Sequence, residues 1–131
     1  MALHLLDADA AIDYTRVVPA SVALIDGVRL QGHDLCISNV VVAELYTNLL
    51  PRERPRAEEL VSRCRYLPMG MEAAIKAGQW RFDYARRGVT LAVSDCLIAA
   101  TAWEYDATLV TGNLRHFPMD EISILPLPRV R

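Results

Sequence analysis

The stretch Leu3-His4-Leu5-Leu6-Asp7-Ala8-Asp9 sets the frame for the rest of the chain. Its leading residues form a short, largely apolar run, which is typical of a strand buried on both faces. The run ends at two carboxylates. Because a buried carboxylate is costly unless something positive neutralises it, the stretch predicts a core strand with a polar site at its end.

Short apolar strands alternate with helices along the rest of the chain. Further strands are predicted at residues 34–37, 108–110 and 122–125, with a short one at 66–68, and helices at 8–16, 19–30, 40–50, 53–65, 71–87 and 95–105. Such alternation is typical of a parallel sheet covered by helices. The predicted fold class is therefore α/β: a three-layer α/β/α sandwich with a central parallel sheet of four or five strands, in a single domain over residues 1–131.

Three local features complete this prediction. Ser94 is predicted to cap the helix at 95–105, since serine is a common N-cap. In the helix at 71–87, one set of apolar residues recurs at helical spacing and is predicted to lie near one face: Ala74, Ile75, Gly78, Phe82 and Ala85. The prolines near the end predict an extended tail at 125–131.

Composition narrows the class of protein. Of 131 residues, 53% are apolar and 23% are charged, which indicates a globular protein. Charged residues interrupt every long apolar stretch, and the residues before Asp7 lack the basic start of a signal peptide, so we expect a cytoplasmic location without membrane insertion. The three cysteines lie far apart and form no zinc pattern. A net charge of −2 gives no general case for nucleic-acid binding.

Two more acidic residues lie in apolar surroundings. Glu44 follows three valines and an alanine, and Asp95 begins an alanine-rich helix. Ligand sites in parallel sheets lie beyond the carboxyl ends of the strands, so we expect Asp7, Glu44 and Asp95 to converge there. Three carboxylates at one place indicate a hard divalent cation and phosphate chemistry. Each also has an ordinary explanation, as a helix cap, an exposed helical residue or a partner of the helix dipole.

Uncharged polar residues could support such a site. Thr111-Gly112-Asn113 follows the strand at 108–110 and offers donors and acceptors, although it could equally form an ordinary turn. Asn48 lies one helical turn after Glu44 and is predicted to share its site.

Taken in order, these motifs resemble those of PIN-domain ribonucleases, and most closely VapC-type toxins of toxin–antitoxin pairs. The first motif is Leu5-Leu6-Asp7-Ala8-Asp9, and the second runs from Ser38 to Glu44-Leu45. The third, D-x-x-I-A-A-x-A, is matched by residues 95–102, and the last, L-V-T-x-N-x-x-H/D-F, by residues 109–117. The resemblance extends from about residue 3 to residue 125. Two positions depart from the pattern: Asp9 replaces the usual asparagine, and Asn113 replaces an acidic residue.

The resemblance implies an endoribonuclease that depends on Mg²⁺ or Mn²⁺. In this interpretation Asp7, Glu44 and Asp95 are the catalytic, metal-binding residues, and Asp9 is a further candidate ligand. An activated water attacks the phosphodiester and leaves a 5′-phosphate and a 3′-hydroxyl. The residues that would orient the carboxylates or a metal-bound water are Thr111, Asn113 and Asn48, and the candidate contacts to RNA are Arg86, Arg87, Arg115 and His116.

The resemblance also implies partners. These are a structured RNA substrate (tRNA, rRNA or mRNA), a second copy of the chain in a homodimer, and a cognate antitoxin protein, with which the toxin could form a hetero-oligomer. The helices at 40–50 and 53–65 are candidates for the groove that binds the antitoxin.

Two alternatives remain open at this point. Asp7-Ala8-Asp9 also resembles the nucleophile motif of haloacid-dehalogenase-type phosphohydrolases, which requires a later lysine and a late acidic pair. The only lysine is Lys76, in the middle of a predicted helix, and Thr111-Gly112-Asn113 contains no acidic pair. The second alternative is a non-catalytic PIN-like domain that binds RNA or protein, because the fourth acidic position is missing.

Overall fold

The computed structural model describes residues 2–128, which form a parallel five-stranded sheet flanked by six α-helices. The strands are β1 (Leu3–Leu6), β2 (Asp34–Ile37), β3 (Arg65–Tyr66), β4 (Thr108–Thr111) and β5 (Ser123–Pro126). The helices are α1 (Ala8–Thr15), α2 (Pro19–Leu30), α3 (Asn39–Asn48), α4 (Arg54–Arg63), α5 (Met71–Arg86) and α6 (Val93–Tyr105). The α/β fold class is confirmed, with five strands. Within residues 2–128, no helix combines the length and apolar character that crossing a bilayer requires.

The strand order determines where a site can form. It is β3-β2-β1-β4-β5, so the chain builds outward from β1 on one side and then returns to add β4 and β5 on the other. Leu6 of β1 pairs with Val110 of β4, and the N–H of Asp7 donates to the carbonyl of Val110 at 3.0 Å. In sheets of this kind, the crevice at the carboxyl ends of the strands where the direction of winding reverses is the usual ligand site. Here it lies between Asp7 and Thr111.

The core holds these two strand ends rigidly. Leu5 and Leu6 of β1 and Leu109 and Val110 of β4 are all completely buried. Helix α6 is alanine-rich because its residues 98–102 are also buried and little room separates the helix from its neighbours. Closely packed interiors move little, so the residues at the ends of β1 and β4 keep a fixed separation.

The apolar residues that the sequence grouped on one face of α5 do not form the face that the helix buries. The helix buries Ala73, Ala77 and Trp80, whereas Ile75 and Phe82 are exposed. Two apolar stripes run along this helix, and periodicity alone cannot choose between them. The buried stripe contains Trp80, whose ring is larger than that of Phe82 on the exposed stripe. The indole N–H of Trp80 donates to Glu121 at 3.1 Å and joins this side of α5 to the residues before β5.

The start of α6 also differs from the prediction. The helix begins at Val93, after Ala92, and no side chain caps it, so Ser94 lies inside the first turn. The N–H of Cys96 already donates to the carbonyl of Ala92, which commits the backbone to helix before Ser94 is reached. Strand β3 begins one residue earlier than predicted and ends two residues earlier, at Tyr66. Of the predicted extended tail, residues 129–131 lie outside the described residues.

Candidate active site

A cleft of about 240 Å³ lies at the carboxyl ends of β1 and β4. Its wall contains every acidic residue singled out in the sequence, together with small or polar residues: Asp7, Ala8, Asp9, Glu44, Ala92, Ser94, Asp95, Asn113 and His116. The carboxylates come from three helices, because α1, α3 and α6 all begin near this edge of the sheet. The fold therefore brings residues from both ends of the chain into one cleft.

Asp7 is the most constrained of the carboxylates. It is only 4% exposed and serves as the N-cap of α1. One carboxylate oxygen accepts from the N–H of Ala8 at 2.8 Å, and the other accepts from the hydroxyl of Thr111 at 2.7 Å. Burial raises the pKa of Asp7 to about 6, in spite of the Thr111 bond, which lowers it, and with a further increase from Asp9. A cation next to Asp7 would remove this electrostatic cost.

The turn after β4 holds both N-terminal carboxylates. The N–H of Gly112 donates to Asp9 at 2.8 Å. The single proton of the Thr111 hydroxyl is directed to Asp7, since the distance to Asp9 is 3.4 Å, and the same oxygen accepts from the N–H of Asn113 at 3.1 Å. The Gly112 donor was not foreseen because a backbone N–H has no side-chain signature. The Thr-Gly-Asn turn was its only signal in the sequence.

Glu44 extends into the cleft from α3. Burial raises its pKa, and the negative charge of Asp95 raises it further. Asn48 does not join it. The Asn48 side chain is exposed, its amide donates to the backbone carbonyl of Glu44 at 2.8 Å, and it does not line the cleft. A side chain that bonds back to its own helix in this way is directed along the helix and away from the cleft.

Asp95 faces the one imidazole of the cleft. It lies in the first turn of α6, and one of its oxygens is 3.3 Å from Nδ1 of His116, which belongs to a short 3₁₀ turn at Leu114–His116. Burial raises the pKa of Asp95, while His116 lowers it and Asp9 raises it. Among the residues that line the cleft, His116 alone can carry a positive charge. Four carboxylates and a single imidazole therefore line the cleft.

This donor set fits a hard divalent cation. Oxygen ligands are the kind that Mg²⁺ and Mn²⁺ prefer. Burial, with a smaller contribution from neighbouring carboxylates, raises the pKa values of Asp7, Glu44 and Asp95, and a bound cation would offset both effects. Within residues 2–128, no three His, Cys, Asp or Glu side chains are already close enough to share one ion. Because Mg²⁺ commonly keeps several waters and uses one or two carboxylates directly, the arrangement suits a partly hydrated ion.

The predicted basic contacts divide into two groups. Arg115 and His116 line a second, open depression of about 450 Å³ that adjoins the cleft at Asn113. Arg86 and Arg87 do not line either cavity. Their guanidinium groups lie over the rings of Phe82 and Tyr84, at 5.3 and 4.2 Å from the ring centres. The structure therefore places Arg115 and His116 at the edge of the cleft, and Arg86 and Arg87 on the surface of α5.

Comparison with known proteins gives matches over most of the chain. The family model for the PIN domain matches residues 5–122. The chain is 36% identical over 117 residues to Ribonuclease VapC10 of Mycobacterium tuberculosis, which covers 89% of this chain and 87% of the relative. It is 34% identical over 94 residues to the tRNA(fMet)-specific endonuclease VapC of Salmonella typhimurium, which covers 68% of this chain and 71% of that protein.

Solved structures show the same architecture. The DNA-bound VapBC complex of Salmonella typhimurium contains a chain that superposes with a TM-score of 0.82 and 29% identity, over 98% of this chain and 100% of that one. A chain of VapBC2 from Rickettsia felis, bound to a promoter DNA fragment, also reaches a TM-score of 0.82, at 21% identity, and so shows likeness of fold. It covers 95% of this chain and 98% of its own length.

Proposed function

This chain belongs to the PIN-domain family, and on that premise we propose that it is a divalent-metal-dependent endoribonuclease, the toxin of a toxin–antitoxin pair. The observation that carries the proposal is the cleft in which Asp7, Asp9, Glu44 and Asp95 face one imidazole. Relatives at 36% and 34% identity that are named ribonuclease or endonuclease support the reaction class. Membership of the PIN-domain family also argues against a haloacid-dehalogenase-type phosphohydrolase.

In the proposed reaction, the protein holds the metal ion and orients the carboxylates that bind it. We propose that Asp7, Glu44 and Asp95, with Asp9, bind Mg²⁺ or Mn²⁺. When bound, such an ion supplies Lewis-acid activation of water and of the scissile phosphodiester. The Thr111 hydroxyl fixes the orientation of Asp7, and the Gly112 N–H fixes that of Asp9. Hydrolysis with water as the nucleophile would leave a 5′-phosphate and a 3′-hydroxyl.

The substrate follows from the charge of the cleft. A polyanion cannot approach four carboxylates without a cation between them, since like charges at a few ångströms repel strongly in a partly desolvated site. Arg115 and His116 at the edge can then contact the phosphate backbone. We propose a structured RNA with an accessible loop, such as tRNA, because unpaired loops can reach into a cleft. The Salmonella relative is named for a tRNA, which supports this choice. Such a substrate would place the protein in the cytoplasm.

We propose a cognate antitoxin as the protein partner, since the Salmonella structure at 29% identity is a VapBC complex. The structure adds a candidate anchor. Between α1 and α4 lies a cavity of about 190 Å³ lined by Tyr14, Arg56, Glu59, Leu60 and Arg63. Helix α4 buries Ala57 and Leu60 and otherwise exposes mainly charged residues. The antitoxin groove was expected to be lined by two apolar helices. On the α4 side, the surface instead consists largely of charged side chains.

The catalytic assignment can be tested with two charge-neutral variants. Asp7→Asn and Asp95→Asn should each lower cleavage of an RNA substrate by a large factor in the presence of Mg²⁺ or Mn²⁺. The control Asp83→Asn changes an exposed carboxylate on α5 and should cleave normally. Cleavage that persists in folded Asp7→Asn and Asp95→Asn would exclude this assignment.

The missing acidic residue at Asn113 keeps a non-catalytic PIN-like binding domain as a second candidate. Titration calorimetry distinguishes the two. The nuclease should bind Mg²⁺ or Mn²⁺ in wild type and more weakly in Asp95→Asn, whereas a domain that only binds RNA or protein should show no such difference.

A further inference from the structure

A second cavity lies beside the acidic cleft, and none of the four carboxylates lines it. It is the open depression of about 450 Å³ formed by the segment 112–116, and it shares Asn113 and His116 with the cleft. Cavities of this size accommodate a small organic group such as a nucleobase. A nucleotide whose phosphate lies in the cleft would therefore have room for its base in the adjoining depression.

Backbone hydrogen bonds give the wall of this depression a fixed shape. The hydroxyl oxygen of Thr111 accepts from the N–H of Asn113 at 3.1 Å, and the carbonyl of Asn113 accepts from the N–H of His116 at 3.0 Å. Phe117 is buried and donates its N–H to the carbonyl of Leu114 at 3.1 Å. A segment held in this way loses little conformational entropy when it binds a ligand.

The side-chain amide of Asn113 lies between the two cavities. From the sequence we expected it to orient a carboxylate or a metal-bound water, but within residues 2–128 this amide makes no hydrogen bond. The backbone N–H and carbonyl of the same residue are both paired. A carboxamide presents an acceptor and a donor side by side, whereas the carboxylate that Asn113 replaces would present acceptors only. The amide is therefore held in place and available to a ligand.

The next two side chains supply surfaces on which a base can stack. Leu114 is 49% exposed. Arg115 is exposed, and within the described part of the chain its guanidinium forms no ion pair or hydrogen bond. Unpaired bases of RNA stack on guanidinium planes and apolar side chains, and their edges are read by hydrogen bonds. An amide, an apolar side chain and a guanidinium in one cavity suit a flat, neutral base better than a second phosphate.

We propose that Asn113, Leu114 and Arg115 form a nucleobase-binding subsite that reads the base next to the scissile phosphodiester, with adenine as the base that fits it. The subsite rests on the proposed nuclease function, because the cleft places the phosphate. Adenine has an amino donor beside a ring-nitrogen acceptor, and these match the acceptor and the donor of one carboxamide. The corresponding edge of guanine has two acceptors, so one of them would face the carboxamide oxygen.

This assignment gives a function to the departure from the family pattern at Asn113. An aspartate there would add a fifth carboxylate to the cleft and would remove the only side-chain donor that its junction with the depression offers in the amide. The neutral residue gives up that charge and gains the ability to select a base. We expect a preference for adenine over guanine of about tenfold, which is within the usual range for one bidentate pair.

Cleavage of matched RNA hairpins tests the subsite. The hairpins share one stem and a uridine loop that carries a single A, G or C at its centre, and the rate of cleavage beside that base is measured with Mg²⁺ or Mn²⁺. Wild type should cleave beside A about tenfold faster than beside G, and Asn113→Ala should reduce this ratio to about twofold or less. The control Gln31→Ala removes an exposed carboxamide at the end of α2 and should keep the preference.

The pattern of loss separates base reading from a role at the metal. If Asn113 orients a metal ligand, Asn113→Ala should slow cleavage of every hairpin equally and weaken Mg²⁺ binding in calorimetry, and this result overturns the subsite. If Asn113 reads the base, only the A hairpin slows and Mg²⁺ binding is unchanged. Asn113→Asp should bind Mg²⁺ more tightly and still lose the preference for A, because a carboxylate has no donor.

A binding measurement keeps the subsite distinct from the nuclease function. Fluorescence anisotropy with labelled hairpins and Mg²⁺ uses Asp95→Asn as the background, so it does not require cleavage. The A hairpin should bind about tenfold more tightly than the G hairpin, and the added Asn113→Ala should remove the difference. If no protein cleaves RNA but this difference persists, the nuclease function fails and the subsite stands.

Two further results would count against the subsite. Equal cleavage and equal binding of the A and G hairpins by the proteins with Asn113 intact overturn it, and so does a preference that Asn113→Ala leaves unchanged. A preference for another base that disappears in Asn113→Ala overturns the assignment to adenine.

Discussion

Replacing Asp7 with asparagine should make the metal-free protein less sensitive to pH. In the folded protein the pKa of Asp7 is about 6, against an ordinary value of 3.8. The folded state therefore holds the proton more tightly than the unfolded state. Protonation of Asp7 therefore stabilises the folded state. This contribution to the unfolding free energy is complete below about pH 4 and is lost as the pH rises through about 6.

The size of the effect follows from the same two values. A pKa gap from 3.8 to about 6 corresponds to about 3 kcal/mol of unfolding free energy, because one pH unit is worth about 1.4 kcal/mol. Most of that loss occurs between the two values, where the folded protein is protonated and the unfolded chain is not. The Asp7→Asn variant has no proton to lose at this position. It does lose one acceptor for the Thr111 hydroxyl, which offsets part of the gain by about 1 kcal/mol at every pH.

Urea unfolding in the presence of a chelator measures this directly. The difference in unfolding free energy between Asp7→Asn and wild type should grow by about 3 kcal/mol in favour of the variant as the pH rises from about 4 to about 7. Asp83→Asn should show no such trend. Added Mg²⁺ should restore stability to wild type above about pH 6 and do much less for Asp7→Asn. A difference that is flat with pH, or that favours wild type at higher pH, would refute the burial argument.

Three further outcomes are expected. Thr111→Val removes the bond that lowers the pKa of Asp7, so RNA cleavage at neutral pH should fall about tenfold and the acidic limb of the pH–rate profile should move to higher pH. His116→Asp adds a carboxylate beside Asp95, and calorimetry should show divalent-cation binding tightened on the order of tenfold. Lys76→Met should lower the melting temperature, with about 1 kcal/mol of stability lost, because Nζ of Lys76 lies 5.2 and 5.3 Å from the ring centres of Trp80 and Trp103. RNA cleavage should be unchanged, since Lys76 does not line the cleft.

The positions of the carboxylates were predictable from sequence because each follows a strong local signal. The apolar run before Asp7 and the alanine-rich helix after Asp95 both fix the backbone, and parallel topology then dictates a shared edge. Asn48 was misplaced because a side chain one turn after Glu44 can extend towards the cleft or bond back to its helix. Here it donates to the Glu44 carbonyl. Helical spacing does not distinguish these two outcomes.

The inward face of α5 could not be predicted because the helix has two apolar stripes. Ile75 and Phe82 are as hydrophobic as the residues that the core uses, yet they are exposed. The buried face makes a long-range contact, the bond from Trp80 to Glu121, which has no trace in the local sequence. In the same way, the donor from Gly112 to Asp9 depends on a pairing of β1 with β4 that brings together residues 103 positions apart.

That separation has a consequence for protein synthesis. The ribosome makes Asp7 well before the hydroxyl that orients it, which arrives 104 residues later. Asp95 and His116 are also late. A nascent chain that ends at residue 90 carries the first three strands but lacks Asp95, Thr111 and His116, so the proposed active site cannot assemble while the ribosome reads the preceding codons. If the protein destroys RNA needed for translation, each copy becomes dangerous only after β4 and the turn that follows it have been made.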